Sequence, residues 1–310
     1  MNQVNGDYDL LVIGGGVAGL TAGMYGARYG LRTAVIERMM SGNQIINVER
    51  IEDFPGFPQG VSGAELGPLM QEQAMNAGAR FLIEEVTGLS LKGQHKVVTT
   101  YDGAHKAKAL IIAAGSTLRT LGLPREEELY GRGLSHCASC DGPFFQDQVV
   151  GVVGGGDSAA DEALTLAEYA SKVLVFHRRN ELRAKRVLRD RLLANPKVQI
   201  MWSTVVEEVL GEDEVEGVRV KSLTTGEVDQ VPLAGLFVYV GLEPNSHFAA
   251  KVLKLDNGGH VPVNLRMETE VPGIYAAGDI RQHSAAQLVS AAGDGATAAI
   301  SAYRYITGKS

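Results

Sequence analysis

The chain has 310 residues, 45% of them hydrophobic and 21% charged, the composition of a folded protein long enough for two cores. Its 29 basic and 36 acidic residues leave a net charge of −7, which argues against nucleic acid or an anionic membrane as partner and leaves a small molecule or a protein. The segment Met1 to Asp9 is polar and no later run approaches the ~18 apolar residues of a membrane span, so a cytosolic location is expected.

In chain order, the apolar run Leu10-Leu11-Val12-Ile13 leads straight into Gly14-Gly15-Gly16-Val17-Ala18-Gly19. A helical pattern from Leu20 to Tyr29 ends at Gly30, and Thr33 to Glu37 makes a second strand with an acid at its tip. Strand, glycine turn, helix, strand and acid together form an adenine dinucleotide site. The glycines let the backbone approach a pyrophosphate at the helix N-terminus, and Glu37 stands where ribose hydroxyls would donate to it. Met39 to Gly60, with Asp53-Phe54-Pro55-Gly56-Phe57-Pro58, reads as a long loop of the kind that carries function. A helix is expected to begin near Ala64, followed by strands over Phe81 to Val86 and Val97 to Tyr101.

Ala109 to Gly115 is a buried strand ending in small residues that let a ligand pass close to the backbone. The acidic run Glu126-Glu127-Glu128 reads as a solvated face in a crossover between domains. Both cysteines of the chain then fall in Cys137-Ala138-Ser139-Cys140-Asp141. Two thiols at this spacing can close a small disulfide, and a nearby helix N-terminus or cation favours the attacking thiolate. Structural zinc would want four ligands, and no second cysteine pair supplies the others. In a reducing compartment such a pair reads as catalytic or metal-binding rather than as a staple, and Asp141 is placed to shuttle protons.

After Val149 to Val153 the chain repeats itself at an offset of 140 residues. Gly14, Gly15 and Gly16 fall on Gly154, Gly155 and Gly156, and Gly19 falls on Ala159. A helix over Ser158 to Tyr169 and a strand over Val173 to Phe176 follow, and Glu37 falls on His177 with Arg178 and Arg179 beside it. With the acid replaced by cations, and Arg183 close behind, this second site reads as NADP-selective, since arginines suit a 2′-phosphate. Further on come an amphipathic helix over Arg186 to Asn195, short strands between Val198 and Val240, and the turn Gly278-Asp279 after a strand. A last helix over Ala286 to Ile306 is expected to be mostly core.

Taken together, these motifs resemble the low-molecular-weight thioredoxin reductases over essentially the whole chain. The family's C-A-T-C-D is matched by Cys137 to Asp141, its G-G-G-x-S-A by Gly154 to Ala159, and its H-R-R by His177-Arg178-Arg179. Its P-G-F-P is matched by Pro55 to Pro58 and its late G-D by Gly278-Asp279. The resemblance implies an α/β fold of two Rossmann-like, three-layer ββα domains, with an NADPH domain (118–243) inserted into an FAD domain made from 1–117 and 244–310. It implies that Gly14, Gly16 and Gly19 hold the FAD pyrophosphate, Glu37 its ribose, and Gly278 and Asp279 its ribityl-phosphate part. Gln44, Asp53, Val86, Ala114 and Gln287 would line the flavin or adenine. Gly154, Gly156, Asp157, Ser158, Ala159, His177, Arg178, Arg179 and Arg183 would hold NADPH.

The same resemblance implies that NADPH reduces FAD, and that reducing equivalents then open the Cys137–Cys140 disulfide, with Cys140 nearer the flavin, Cys137 attacking thioredoxin and Asp141 donating the proton. It also implies a homodimer, and a rotation of the inserted domain about hinges near 117–121 and 241–245. With no appended thioredoxin segment before Ser310, the acceptor is expected to be a separate molecule. Dithiol oxidases and ferredoxin-linked reductases of this fold lack the pyridine-nucleotide signature present here, and a non-catalytic NADPH sensor has no need of a dithiol. Two departures stand out. Asp53 replaces a common Asn, and Ala285-Ala286 replace an aromatic-Arg pair before Gln287, which removes a cation near the flavin site.

Overall fold

The computed structural model describes residues 4–39, 45–46, 48 and 50–309. Two compact units emerge, one from Met1–Thr117 with Glu243–Ser310 and the other from Leu118–Leu242.

The first unit is built on a parallel sheet in the order Arg80–Ile83, Thr33–Glu37, Val4–Ile13, Ala104–Ile112. The far strand is shared. Its first half pairs antiparallel with His95–Thr100, which continues into Val86–Lys92, while its last three residues pair in parallel with Ile274–Ala276. Alternation along Val4–Ile13 sends Leu11 and Ile13 to a core under the antiparallel strands, and Leu10 and Val12 to a core under the helices. Because both faces are covered, Leu10 to Ile13 read as a continuous apolar run rather than an alternating one.

Helices Val17–Arg28 and Leu288–Thr307 pack on one another. They approach so closely that a Cβ on Gly295 would overlap the carbonyl oxygen of Ala18. A third helix, Gly63–Asn76, is capped by Ser62, whose hydroxyl accepts from the Glu65 amide at 3.2 Å.

The second unit is a five-stranded parallel sheet in the order Val198–Trp202, Lys172–His177, Val149–Gly154, Gly235–Tyr239, Leu134–Ser135, with an antiparallel meander of Thr204–Leu210, Gly217–Ser222 and Val228–Pro232. Helix Asp157–Tyr169 covers the sheet with Ala159, Ala160, Ala163, Leu166 and Ala167, small residues that let it sit close. Among the described residues no helix is long and apolar enough to cross a membrane.

Three expectations change. The strand over 81–86 is two strands, broken at Glu84-Glu85 where the chain leaves the parallel sheet for the antiparallel layer. The last helix buries one stripe, Asp294, Gly295, Ala298, Ala299, Ser301 and Ala302, rather than most of its surface, because only that face meets helix Val17–Arg28 and the sheet. Glu126 is buried, not solvated: its carboxylate accepts from the amides of Leu121, Gly122 and Leu123 at 2.7, 2.8 and 3.2 Å and closes the turn before the short helix Glu126–Leu129. Glu127 and Glu128 remain on the surface.

The approach at Gly295 makes it intolerant of a side chain. Gly295→Val is expected to lower the denaturant midpoint by the equivalent of about 1–3 kcal/mol, the usual cost of overpacking, and an unchanged midpoint would contradict the close contact.

Candidate functional site

Each unit carries one glycine turn, and the two are built alike. In the first, Gly14 adopts φ +104° and its backbone lies so close to Ala113 that a Cβ would overlap the Ala113 carbonyl. A Cβ on Gly19 would strike the oxygen of Gly14, so Gly19 lets the helix pack against the turn. Nothing lies within 4 Å of where a Gly16 Cβ would stand, and helix Val17–Arg28 starts there with no side-chain cap and no acid in its first turn. Its first amides are therefore open to an anion.

Glu37 is buried beneath this turn. One carboxylate oxygen accepts from the Gly15 amide at 2.6 Å and the other from Arg38 and Met39 at 2.8 and 3.2 Å. Gly14, Gly16, Glu37, Asp53, Ala114, Gly278, Asp279 and Gln287 together line one cleft. Gly19 stands behind it as a packing residue, and Val86 packs against the core under the antiparallel layer. Gln44 lies outside the described residues.

The cleft's far wall rests on a pair that the sequence does not announce. Arg281 is bound to Asp294 through two hydrogen bonds of 2.6 and 3.1 Å, and Asp294 also accepts from the Gly278 amide at 3.1 Å. This pair fixes the turn that presents Asp279, which burial pushes above the usual carboxylate range despite a hydrogen bond from Ser284. Ala286, where the resemblance would put an arginine, lines the cleft at φ +51°.

In the second unit Gly154 adopts φ +159°, and a Cβ there would meet Ala159 and the carbonyl of Tyr239. His177 lies under Gly155 as Glu37 lies under Gly15, with Nε2 at 2.9 Å from the Glu181 carbonyl. The following segment folds back on the turn. Arg183 N donates to Gly155 O at 2.7 Å, and Lys185 N donates to Asp157 Oδ1 at 2.7 Å. Arg178, Arg179, Arg183 and Ser158 are exposed beside it, Gly156 starts helix Asp157–Tyr169, and Ala159 is buried against the turn.

The same unit holds the cysteines, which are joined as a disulfide. Cys137 caps the short helix Ala138–Asp141, its Sγ accepting from the Cys140 amide at 3.2 Å, and Ser135 Oγ accepts from the Cys137 amide at 3.0 Å. Cys140 is exposed, while Cys137 and Asp141 are half-buried. His136, with Nδ1 at 3.1 Å from the Val238 carbonyl, is pushed below the usual imidazole range by burial. Glu162 and Tyr239 also reach this helix, and no motif had marked either of them. Among the described residues no cluster of three or more His, Cys, Asp or Glu is placed to hold a metal.

Residues 8–296 match the family profile described as pyridine nucleotide-disulphide oxidoreductase. The chain belongs to that family. It is 42% identical over 300 residues to the thioredoxin reductase of Bacillus subtilis, covering 96% of this chain and 95% of the relative. It is 40% identical to that of Treponema pallidum, covering 97% of each. The crystal structure of Lactococcus lactis thioredoxin reductase superposes with a TM-score of 0.95 at 39% identity, covering 97% of this chain and 99% of the other. As a pyridine nucleotide-disulphide oxidoreductase the protein is a flavoprotein enzyme whose cofactors are FAD and NADPH. The first unit's open glycine turn, uncapped helix and lined cleft fit an adenine dinucleotide.

Because burial raises the Asp279 pKa, its contribution to stability is fully present below the ordinary value of 3.8 and lost as pH rises through the folded value. In flavin-free protein, Asp279→Asn is expected to flatten that decline in denaturant midpoint with pH. An unaltered slope would exclude Asp279 as its source.

Proposed function

We infer that the protein is a thioredoxin-disulfide reductase, moving electrons from NADPH through FAD and the Cys137–Cys140 disulfide to oxidised thioredoxin or a thioredoxin-like protein disulfide. The observation that carries this reading is a disulfide at the N-terminus of a short helix, in the same unit as a glycine turn flanked by exposed arginines. Bound FAD supplies a carrier that takes two electrons from a hydride donor and passes them to a disulfide.

In this reading Gly14 and Gly16 bring backbone amides to the FAD pyrophosphate, with Gly19 letting the helix approach. Glu37 holds the turn through the Gly15 amide and faces the ribose; Gly278 and Asp279 meet the ribityl-phosphate end; Asp53, Ala114 and Gln287 border the rings, a role that the resemblance also gives to Val86 and Gln44. Gly154, Gly156, Asp157, Ser158 and Ala159 receive NADPH, His177 supports Gly155 from below, and Arg178, Arg179 and Arg183 take the 2′-phosphate through charge-assisted hydrogen bonds. On reduction the disulfide gains two electrons and two protons, one proton passing through Asp141. The Cys137 thiolate then attacks the substrate disulfide, giving a mixed disulfide and a substrate thiol. Cys140 displaces the second substrate sulfur and restores the internal bond. The reading includes a homodimer working in the reducing cytosol, where a Cys-x-x-Cys pair serves catalysis.

Anaerobic titration of the yellow protein tests this directly. NADPH should bleach the flavin, and thioredoxin should reoxidise it; in Cys140→Ser the bleaching should remain and thioredoxin turnover vanish. A colourless protein that cannot be loaded with flavin, or turnover that survives the substitution, would reject the reading. Replacing Arg178 and Arg179 together by Ala should raise KM for NADPH by about 10- to 100-fold, the loss of one or two charged hydrogen bonds, and leave KM for NADH nearly unchanged. An equal rise for both coenzymes would exclude 2′-phosphate recognition.

A further inference from the structure

Glu162 lies in the second turn of helix Asp157–Tyr169, on the seam formed by Ala159, Ala163 and Leu166 that packs into the core of the second unit. A charged side chain in that seam requires a partner, and its partners are informative. One oxygen, Oε2, accepts from the amide of Ala138 at 2.8 Å and from the Tyr239 hydroxyl at 3.0 Å. Ala138 is the residue after Cys137, fully buried and the first of the helix that carries the redox pair. Tyr239 ends strand Gly235–Tyr239 and is 7% exposed. The carboxylate therefore ties the helix that carries the disulfide to the end of an inner strand of the sheet.

The charged groups that act on Glu162 and Tyr239 are acids. Asp161 acts on Glu162 from its own helix, Asp141 acts on Tyr239 from the redox helix, and the strand contributes the neutral hydroxyl of Tyr239. Among the described residues no lysine or arginine pairs with Glu162. An ionised Glu162 is held by two hydrogen bonds but opposed by burial and a neighbouring acid, and a thiolate at Cys137, the residue before the Ala138 amide that Glu162 accepts from, would add a further negative charge.

We propose that Glu162, clamped between the Ala138 amide and the Tyr239 hydroxyl, is a positioning residue for the redox helix whose charge controls how readily the reduced cysteine pair ionises. The proposal rests on the reading of Cys137–Cys140 as the redox pair. The disulfide takes two electrons, supplied from NADPH. With Glu162 ionised, the thiolate is repelled and reduction takes up two protons to give a dithiol. With Glu162 protonated, one proton suffices and a thiol with a thiolate remains. Ionisation of the pair and of Glu162 are antagonistic, so they titrate as a coupled system rather than as independent groups. Burial pushes the Glu162 carboxyl up to about 7, within the range where a thiol pair must work, while burial and the adjacent carboxylate keep Tyr239 protonated as the donor.

The test reads the thiols themselves. The chain has two cysteines, so alkylation by iodoacetamide reports on this pair alone. Holoenzyme is opened with dithiothreitol, which yields a profile whether or not NADPH can reduce the disulfide, and NADPH reduction measured in parallel tests the functional reading separately. The native alkylation rate should show a lower inflection near the Glu162 transition as well as the thiol ionisation. Glu162→Gln keeps an oxygen for the Ala138 and Tyr239 donors but carries no charge. It should remove the lower inflection and raise the rate at pH 7 by roughly 3- to 10-fold, the shift expected when a coupled charge is removed. Tyr239→Phe keeps the carboxylate with one hydrogen bond fewer, and should move the lower inflection upward. A two-step profile in Glu162→Gln identical to the native one would overturn the proposal. If that variant does not fold, an unmoved inflection in Tyr239→Phe would overturn it equally.

Discussion

A backbone with no side chain at two turns is the constraint on which both units depend. At Gly14 and Gly154 the first strand, the helix after it and a neighbouring strand converge so closely that a single Cβ would collide with a carbonyl oxygen. The convergence leaves the start of each helix uncapped by side chains. Dinucleotide binding follows from that geometry, because the unsatisfied amides and the helix dipole both favour phosphate there.

The second turn modifies the first without altering its plan. Glu37 and His177 occupy the same place, each beneath the middle glycine, yet one bonds the Gly15 amide with a carboxylate and the other fills the space with a ring. In the proposed function the missing acid is a missing ribose acceptor, and the exposed arginines that follow it supply positive charge instead. In that reading one backbone solution serves both FAD and NADPH, whose adenosine parts differ by the 2′-phosphate, and side chains at a strand tip meet that difference.

The redox pair sits in a different electrostatic setting from the phosphate sites. Its short helix is anchored by acceptors, Ser135 on the Cys137 amide and Glu162 on the Ala138 amide, and its near neighbours are acids and a phenol. Helix N-terminal amides favour a thiolate, while the carboxylates oppose it. Reactivity in such a site reflects a balance that small changes in protonation can tip. In the first unit the Arg281–Asp294 pair performs an analogous task at the cleft, holding the turn of Gly278 and Asp279 with a partly buried ion pair rather than with apolar packing alone.

Features whose meaning lies in local spacing were legible in the amino-acid order alone. The glycine turns, the strand tips at Glu37 and His177 and the Cys-x-x-Cys pair are recognised by short spacings, and the second turn by its likeness to the first 140 residues earlier. The contacts of Gly14 with Ala113 and of Gly154 with Tyr239 are made only by the fold. Tertiary structure alone decided the rest. Glu126 is surface-like in sequence, but a turn folds its amides around it; Glu162 meets Tyr239 across 77 positions; Asp294 meets Arg281 from a separate helix. A buried polar group must find a partner wherever the fold brings one, and that partner's place in sequence carries no pattern to read.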